Sequence, residues 1–339
     1  MNDFFYTRAS SVEDTLTRLS SGSENKIVAG GTNLLDLIKY FITTAAELVD
    51  VSNIPEHNTI DELENGGLRL GAFVTNSETA YHPWIEHRYP LLARAILAGA
   101  SAQIRNMATN GGNLLQRTRC YYFYDINTPC NKRQPGSGCS AIGGYNRNMA
   151  IMGTSEQCIA VFPSDMCVAL AALGAVINII GPSGTRQLPF GDFHRLPGNT
   201  PQIDNNLGRE ELITSIDLPP TGLSKYYSYL KLRDRNSYAF ALVSVASAFD
   251  IQEDLIVDAR IALGGIAHKP WRVLEAEDFL KGKSPSRSNF DKAAEIILSG
   301  AVTYEFNAFK LELAKRAIVR NCMMALDPHT QRPGAQPSL

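Results

Sequence analysis

The chain has 339 residues, of which 44% are hydrophobic and 19% are charged, and its formal net charge is −2. This composition is typical of a globular protein with two or three compact units, and the small net charge excludes binding to nucleic acid or membrane surfaces through bulk charge. No apolar run reaches the roughly 18 residues of a membrane span, and no basic segment precedes an apolar one at the start. We therefore expect neither a transmembrane helix nor a secretory signal.

Residues 1–55 predict a small α/β unit. The stretch SVEDTLTRLSSG predicts a helix, because Ser10 and Glu13 have capping-box spacing and leucines recur on one face. A short strand at KIVAGG follows, then a helix at NLLDLIKYFITTA and a strand at ELVDVSNI. The turn between the first strand and the second helix is rich in glycine.

Residues 56–222 predict a second unit with more strands. In GLRLGAFVT apolar and polar residues alternate, which predicts a strand. Residues 75–106 are predicted to be mostly helical, with interruptions at Pro83 and Pro90. A second glycine turn, TNGGNLL, precedes an insertion at residues 116–160 that contains most of the cysteines. Beyond it we expect a buried helix at DMCVALAALGA, a hairpin at AVINIIGPSGTRQLPF and a strand at ELITSIDLPP.

Residues 223–326 differ in pattern from the first two units. The stretches YYSYLKLR, FALVSVASAFDI and LIVDARIALGGIA predict an antiparallel sheet of three strands, and three helices follow. The tail at residues 327–339 is polar and contains proline, so we expect it to be disordered.

Two glycine turns are the clearest ligand signals. In the first, Gly30, Gly31, Thr32 and Asn33 lie between a predicted strand and a helix, where successive amides can form an anion-binding nest. The turn at residues 109–115 repeats this pattern, and the pair favours a ligand with two or more phosphates. Neither turn has the G-x-G-x-x-G pattern, which excludes a standard Rossmann site. An ordinary strand–helix turn remains the alternative for the first.

Four of the six cysteines lie within 39 residues. Cys120, Cys130, Cys139 and Cys158 are separated by nine, eight and eighteen residues, spacings that match neither the C-x₂-C-x₂-C ferredoxin run nor the close cysteine pair of most zinc sites. By spacing alone, an iron–sulfur cluster, a pair of disulfides and a zinc site are equally compatible with them. The two other cysteines, at positions 167 and 322, lie in apolar stretches and are predicted to be buried core thiols.

Five stretches in this order resemble the FAD-binding subunit of the molybdenum hydroxylases, the family of xanthine dehydrogenase, carbon monoxide dehydrogenase and aldehyde oxidoreductases. They are KIVAGGTNLLDLIK, QIRNMATNGGNLL, FPSD, EELITSIDLP and LKLRDRNSYAFALVSVA, and the similarity covers roughly residues 3–325. The cysteine insertion after GGNLL is similar to that of bacterial periplasmic aldehyde oxidoreductases, and 4-hydroxybenzoyl-CoA reductase has an insertion at the same place.

The resemblance implies an α+β fold. It consists of a PCMH-type (vanillyl-alcohol-oxidase-like) FAD-binding fold in two subdomains, 1–55 and 56–222, and a C-terminal domain of three antiparallel strands with helices, 223–326. It also implies that the four clustered cysteines bind a [4Fe-4S] cluster, with Lys132, Arg133 and Arg147 offsetting its charge. The implied FAD contacts are Ile27, Val28, Ala29, Gly30, Gly31, Thr32, Asn33 and Leu34 at the pyrophosphate, Thr109, Gly112 and Asn113 in the second loop, and Asp165, Ile213 and Lys231 near the ribityl chain and isoalloxazine.

The function implied by the resemblance is electron transfer. Electrons would pass from a large molybdopterin subunit through a small [2Fe-2S] subunit to FAD and then to an external acceptor, so no side chain of this chain is predicted to be a general acid or base. The resemblance also implies a periplasmic location reached by co-export with a partner, with the cytoplasm as the alternative. The rival functions are a stand-alone flavoenzyme reductase of the same FAD fold and a non-enzymatic binding protein with a zinc-bound loop.

Overall fold

The computed structural model describes residues 1–220 and 223–327. The predicted disordered tail therefore lies, from residue 328 onwards, outside the described residues. The strands are β1 Phe5–Arg8, β2 Lys26–Val28, β3 Glu47–Asp50, β4 Ile60–Glu62, β5 Leu68–Gly71, β6 Val176–Gly181, β7 Gly184–Pro189, β8 Leu212–Leu218, β9 Tyr226–Leu232, β10 Val243–Gln252, β11 Leu255–Gly264 and β12 Trp271–Arg272.

The α-helices are α1 Val12–Ser21, α2 Leu34–Lys39, α3 Asn76–Ala80, α4 Pro83–Arg88, α5 Pro90–Ala98, α6 Ala102–Arg105, α7 Asn110–Leu114, α8 Tyr121–Tyr124, α9 Ser140–Gly143, α10 Asp165–Leu173, α11 Phe190–Phe193, α12 Leu274–Leu280, α13 Arg287–Ile297 and α14 Phe309–Ala325. A short 3₁₀ helix lies at Pro55–His57. In the described part of the chain, no helix is both long and apolar enough to cross a membrane.

The first sheet is parallel, with strand order β1-β3-β2, and β1 was not expected from the sequence. Helix α1 is capped by Ser11, which accepts from the amide of Asp14, so the predicted capping box at Ser10 is wrong by one residue. Helix α2 is shorter than predicted, because it ends at Lys39 and Phe41 adopts a φ of +59°, which no α-helix accommodates.

The second sheet has five antiparallel strands in the order β4-β5-β8-β6-β7. Helix α10 is buried on every side, because all nine of its residues are nearly inaccessible to solvent, as predicted from a sequence that is apolar at every position after Asp165. Pro83 and Pro90 each occupy the first turn of a helix, where their missing amide costs nothing. The predicted interruptions of this helical region are therefore confirmed.

The C-terminal sheet has four antiparallel strands in the order β12-β11-β10-β9, so the prediction of three strands is wrong. The additional strand, β12, pairs Trp271 with Leu263 and Arg272 with Ala262. It is only two residues long and follows Pro270, so it shows no alternation that sequence reading could detect. The helices α12, α13 and α14 pack together in the apolar core of this sheet.

The insertion at residues 116–160 is largely irregular, with the short helices α8 and α9. It has its own apolar core, which includes three of the clustered cysteines and Phe123. Leu37 of α2 belongs to this same core. The insertion is thereby packed against the helix that follows the first glycine turn.

Candidate cofactor-binding site

The first glycine turn joins β2 to α2 and has free backbone donors. Gly31 has a φ of +68°, a left-handed conformation that side chains disfavour. A Cβ at Gly30 would lie 1.7 Å from the carbonyl oxygen of Met107, so glycine is required for this backbone contact. In the described part of the chain, the amides of Gly31, Thr32 and Asn33 donate to no protein acceptor. Free amides just before a helix are a suitable phosphate cradle.

The second glycine turn begins α7, and its amides are already paired. Thr109 caps the helix, accepting from the amide of Gly112 at 3.2 Å, and the amide of Gly111 donates to the carbonyl of Ala72 at 2.8 Å. Within 4 Å, a Cβ at Gly112 would meet only the Thr109 hydroxyl, so this side of the turn faces open space. The two turns therefore differ in chemistry, contrary to expectation: the first offers free donors and the second an open backbone surface.

Asn113 connects the second turn to a buried ion pair. The hydroxyl of Ser164, which caps α10, donates to Asn113 Oδ1 at 2.6 Å. The next residue, Asp165, accepts from Lys231 Nζ at 2.8 Å and from the Tyr229 hydroxyl at 2.6 Å. The side chains of Lys231 and Asp165 are only 3% and 7% exposed, so neither is a solvated surface group. Three predicted site residues thus belong to one connected polar group.

Ile213 has a different environment. It pairs with Ile179 between β8 and β6, and its side chain is buried in the main core. The carbonyl of the next residue, Thr214, accepts from the amide of Ala72 at 2.9 Å, and the carbonyl of Ala72 accepts from Gly111 in the second turn. The backbone of β8 is therefore close to that turn, while a role for Ile213 in cofactor binding stays a prediction.

A cleft of about 310 Å³ adjoins this polar group. Its walls come from the insertion, from the segment before α10 and from the C-terminal sheet. The lining residues are Arg119, Cys120, Tyr121, Asn148, Met149, Val161, Phe162, Pro163, Ser164, Asp165, Asp234, Ala239, Phe240, Ala241, Leu242, Ser244, Gly264 and Gly265. Because Asp165 and Cys120 both line it, the cleft contacts the buried ion pair and the cysteine region together.

The four clustered cysteines, Cys120, Cys130, Cys139 and Cys158, line a second and much smaller cavity. Three of them are buried and Cys139 is half-buried. The cavity measures about 10 Å³, which is room for about one water molecule. The fold therefore brings all four thiols together, and a larger group would require them to move apart.

A backbone amide donates to one of the four sulfurs. The amide of Ala160 donates to Cys158 Sγ at 3.5 Å. Such a bond stabilises the thiolate, which is the form that binds metal. Cys120 and Cys139 directly precede helices α8 and α9, and neither side chain caps its helix with a hydrogen bond.

The thiols differ in acidity. The interaction between the two thiols lowers the pKa of Cys139 and, with burial, raises the pKa of Cys158. Burial raises the pKa of Cys120 to about 12. Cys120 and Cys158 would therefore lose their protons on binding a metal.

The arrangement of the thiols bears on the three sequence alternatives. All six cysteines are free, so the disulfide alternative is not what the structure contains. Among the described residues, no three His, Cys, Asp or Glu side chains are placed to share one metal ion, whereas a tetrahedral zinc site with Zn–S bonds of about 2.3 Å needs its sulfurs about 3.8 Å apart. Cys167 and Cys322 are fully buried away from the cavity, as predicted.

The cations predicted to offset a cluster's charge have distinct partners. Lys132 lines the thiol cavity. Arg133 instead donates to the carbonyls of Tyr122 and Phe123 at 2.7 and 2.8 Å, which fixes the loop between the first two cysteines. Arg147 forms a surface ion pair with Asp234 at 2.6 Å.

Asp204 pairs with both Lys132 and Arg117. Burial alone would raise the pKa of Asp204, but its hydrogen bonding with His268 and the charges of Lys132 and Arg117 hold that pKa well below its usual range. Lys132 Nζ also lies 2.7 Å from His268 Nε2, and His268 Nδ1 lies 3.1 Å from the carbonyl oxygen of Ala160. A buried network of charges thus extends from the thiol cavity to Arg117.

A family model for the FAD binding domain in molybdopterin dehydrogenase matches residues 2–221, more than half of the chain. The chain belongs to this family. A model for the CO dehydrogenase flavoprotein C-terminal domain matches residues 226–325. The resemblance inferred from the sequence is therefore confirmed, and so is the α+β FAD-binding fold with a separate C-terminal domain, apart from the strand count.

Curated relatives of this FAD-binding family span nearly the whole chain. The aldehyde oxidoreductase FAD-binding subunit PaoB of Escherichia coli is 47% identical over 319 residues, covering 94% of this chain and 96% of that protein. The glyceraldehyde dehydrogenase medium chain of Sulfolobus acidocaldarius is 27% identical, covering 83% and 82% of the two chains.

Solved structures share the fold. Carbon monoxide dehydrogenase from Hydrogenophaga pseudoflava matches with a TM-score of 0.75 and 23% identity over 96% of this chain and 98% of that one. Quinoline 2-oxidoreductase from Pseudomonas putida matches with a TM-score of 0.74 and 24% identity over 96% and 97%. At this level of identity the likeness concerns the fold alone.

For a member of the FAD-binding family, the first turn fits the pyrophosphate of the cofactor, because it has free amides and glycines where side chains would intrude. The assignment of individual residues to FAD or to a cluster stays a prediction. Sequence reading missed Ser164, Tyr229, Asp204 and His268. Their partners are 51 to 136 residues away along the chain, and no local motif indicates such contacts.

Proposed function

We propose that this chain is the FAD- and [4Fe-4S]-containing electron-transfer subunit of a molybdenum-dependent aldehyde oxidoreductase complex. The proposal depends above all on the first glycine turn, whose free amides suit a pyrophosphate in a chain of this FAD-binding family. The relative at 47% identity is named as the FAD-binding subunit of an aldehyde oxidoreductase, which supports an aldehyde as the substrate of the complex.

The residues that would hold FAD come from both glycine turns and the buried ion pair. Residues 27–34 would surround the pyrophosphate, Thr109, Gly112 and Asn113 would form the opposite wall, and Asp165, Ile213 and Lys231 would lie toward the flavin ring. When bound, FAD supplies reversible electron transfer and an iron–sulfur cluster supplies one-electron transfer. The Asp165–Lys231 pair keeps a fixed charge arrangement beside the cleft, because Tyr229 donates to Asp165 and Lys231 also donates to the carbonyl of Ala98.

The four clustered cysteines would hold the [4Fe-4S] cluster. Four thiolates are the ligand set of such a cluster, and the amide of Ala160, which donates to Cys158 Sγ, favours the deprotonated form of that thiol. All four thiols line one cavity, but among the described residues no three of the side chains that bind metal are placed to share one ion, which disfavours a single zinc ion.

The partners in this proposal are a large molybdopterin-binding subunit and a small [2Fe-2S] subunit, with an external molecule as the final electron acceptor. The complex would be periplasmic, by co-export with a partner that has an export signal. The support for the partners is family membership, because the family model describes a domain of molybdopterin dehydrogenases.

Purification of the chain with its co-expressed partners tests the proposal. We expect a heterotrimer with FAD that acid precipitation releases, and about four irons from this chain, as a cubane requires. Cys130→Ser should lose this iron, while Cys167→Ser, which alters a buried thiol away from the cavity, should retain it. Zinc in place of iron would contradict the cluster, and a chain that purifies alone and reduces a substrate would support the stand-alone reductase.

A further inference from the structure

Residues 117–124, which we call the Cys120 segment, contact the first glycine turn at both ends. The backbone amide of Arg117 donates to Asn33 Oδ1 at 2.9 Å. At the other end, the Tyr124 hydroxyl lies 3.5 Å from Asn33 Nδ2 and donates to Asp36 Oδ2 at 3.0 Å. Cys120 lies between these two contacts along the chain. The backbone that carries Cys120 is therefore attached on both sides to the turn and to the start of α2.

Apolar packing makes a second connection. Leu37 of α2 is only 3% exposed and lies in the same apolar core as Cys120, Cys130 and Cys158. Protein cores are close-packed, so they respond to the movement of one member by rearranging the others. Movement of the thiols therefore also changes the packing of α2, the helix that follows the free amides of the first turn.

Asp204 links the side of the first glycine turn to the side of the thiol cavity. It accepts from Arg117 Nε at 2.6 Å on the side of the glycine turn and from Lys132 on the side of the thiol cavity. The guanidinium of Arg117 lies 4.8 Å from the centre of the Phe123 ring, within the Cys120 segment. One partly buried carboxylate thus holds a residue that contacts Asn33 and a residue that lines the cavity.

We propose that metal loading at the four cysteines and FAD binding at the first glycine turn are thermodynamically coupled through the Cys120 segment. The inference rests on the proposed function, which places the two groups at these sites. Because the thiol cavity has room for only about one water molecule, loading of a larger group requires the thiols to move apart, and movement of Cys120 in this step would give the segment a second arrangement. Coupling of this kind is reciprocal, so FAD should favour metal retention by the same factor.

FAD affinity of the full-length purified protein tests the coupling. The dissociation constant would be measured from flavin fluorescence with iron bound and again after iron is removed by a chelator. We expect removal of iron to weaken FAD binding by about fivefold or more, at the lower end of typical couplings. Tyr124→Phe and Asp204→Asn, which leave all four thiols in place, should bring this ratio close to one.

Tyr122→Phe is the matched control. Its hydroxyl lies in the same helix but accepts from the amide of Tyr145, within the insertion. It should therefore keep the wild-type ratio. Equal FAD affinity with and without iron in the wild type overturns the coupling alone, and so does a wild-type ratio in both Tyr124→Phe and Asp204→Asn. A wild-type protein that binds no FAD or no iron overturns the proposed function as well.

Discussion

Gly30 in the first glycine turn packs against the backbone of Met107, which lies two residues before the second glycine turn. A Cβ there would lie 1.7 Å from the carbonyl oxygen of Met107 and 2.4 Å from its carbon, both backbone atoms that cannot rotate away. We therefore expect Gly30→Ala to push the first turn away from the Met107 backbone and to weaken FAD binding at least tenfold. Acid release and quantification of FAD from purified protein measures the loss.

Gly191→Ala is the control for this prediction. A Cβ at Gly191 would meet no atom within 4 Å, and its backbone is not left-handed. This variant should keep the full FAD content. Normal FAD affinity in Gly30→Ala would contradict the assignment of the first turn to the pyrophosphate.

At the residue scale, the sequence predicts what is local. The first turn could be predicted because strand, glycines and helix are contiguous, and the thiols because four cysteines within 39 residues are unusual. The chemical difference between the turns could not be predicted, because it depends on Ala72 and Val74, which pair with the amides of the second turn from another part of the chain. The partners of Asp204 could not be predicted from the sequence for the same reason.

At the scale of elements, His194 anchors the end of α7. Its Nε2 donates to the carbonyl of Leu114 at 2.9 Å, and its Nδ1 is buried without a partner in the described structure. The rings of Phe162 and Phe193 pack around it. This environment stabilises the neutral imidazole, and burial lowers the pKa of His194 from 6.5 to about 4.

The lowered pKa of His194 predicts acid sensitivity. Between pH 6.5 and 4 the unfolded chain binds this proton and the folded chain does not, so the free energy of unfolding falls as pH falls through this window. The full effect is about 3 kcal/mol. Urea unfolding of His194→Gln should show a smaller decrease than the wild type, whereas His87→Gln, at an exposed position, should match the wild type. Parallel curves for His194→Gln and wild type would refute this role.

Helices and strands with a clear local sequence pattern were predicted well, whereas short strands that form only by pairing with a neighbouring strand were not. The buried helix α10, apolar after Asp165, follows from composition, and the hairpin of β6 and β7 follows from turn chemistry. By contrast, β1, β4 and β12 have two to four residues each and exist because a neighbouring strand pairs with them. The C-terminal sheet was therefore assigned one strand too few.

At the scale of the whole molecule, the end of the insertion is bonded to the C-terminal domain. The amide of Ile151 donates to the carbonyl of Ile266, and its carbonyl accepts from Val302, at 2.9 and 2.8 Å. Asn307 donates to the carbonyl of Ala150 at 3.2 Å. The thiol insertion is thus held between the FAD-binding domain and the C-terminal domain, and its position depends on both.

Lys310 of α14 completes this junction and predicts a pH effect. Its fully buried Nζ donates to the carbonyls of Met149 and Gly265 at 2.9 and 2.5 Å. Burial, with the charge of Arg147, lowers its pKa from 10.5 to about 7. Between these values the unfolded chain binds more protons, so the stability should rise with pH, by about 1.4 kcal/mol per unit at most.

Denaturant unfolding at several pH values between 7 and 9.5 measures how the free energy of unfolding changes with pH. The rise due to Lys310 should be present in the wild type and absent in Lys310→Met. A neutral amine still donates to both carbonyls, so the junction persists as the proton leaves. Lys315→Met, on the same helix but exposed and paired with Glu295, should keep the wild-type slope. If Lys310→Met and the wild type gain stability equally with pH, Lys310 is charged in the folded protein throughout this range and the junction contains a buried cation.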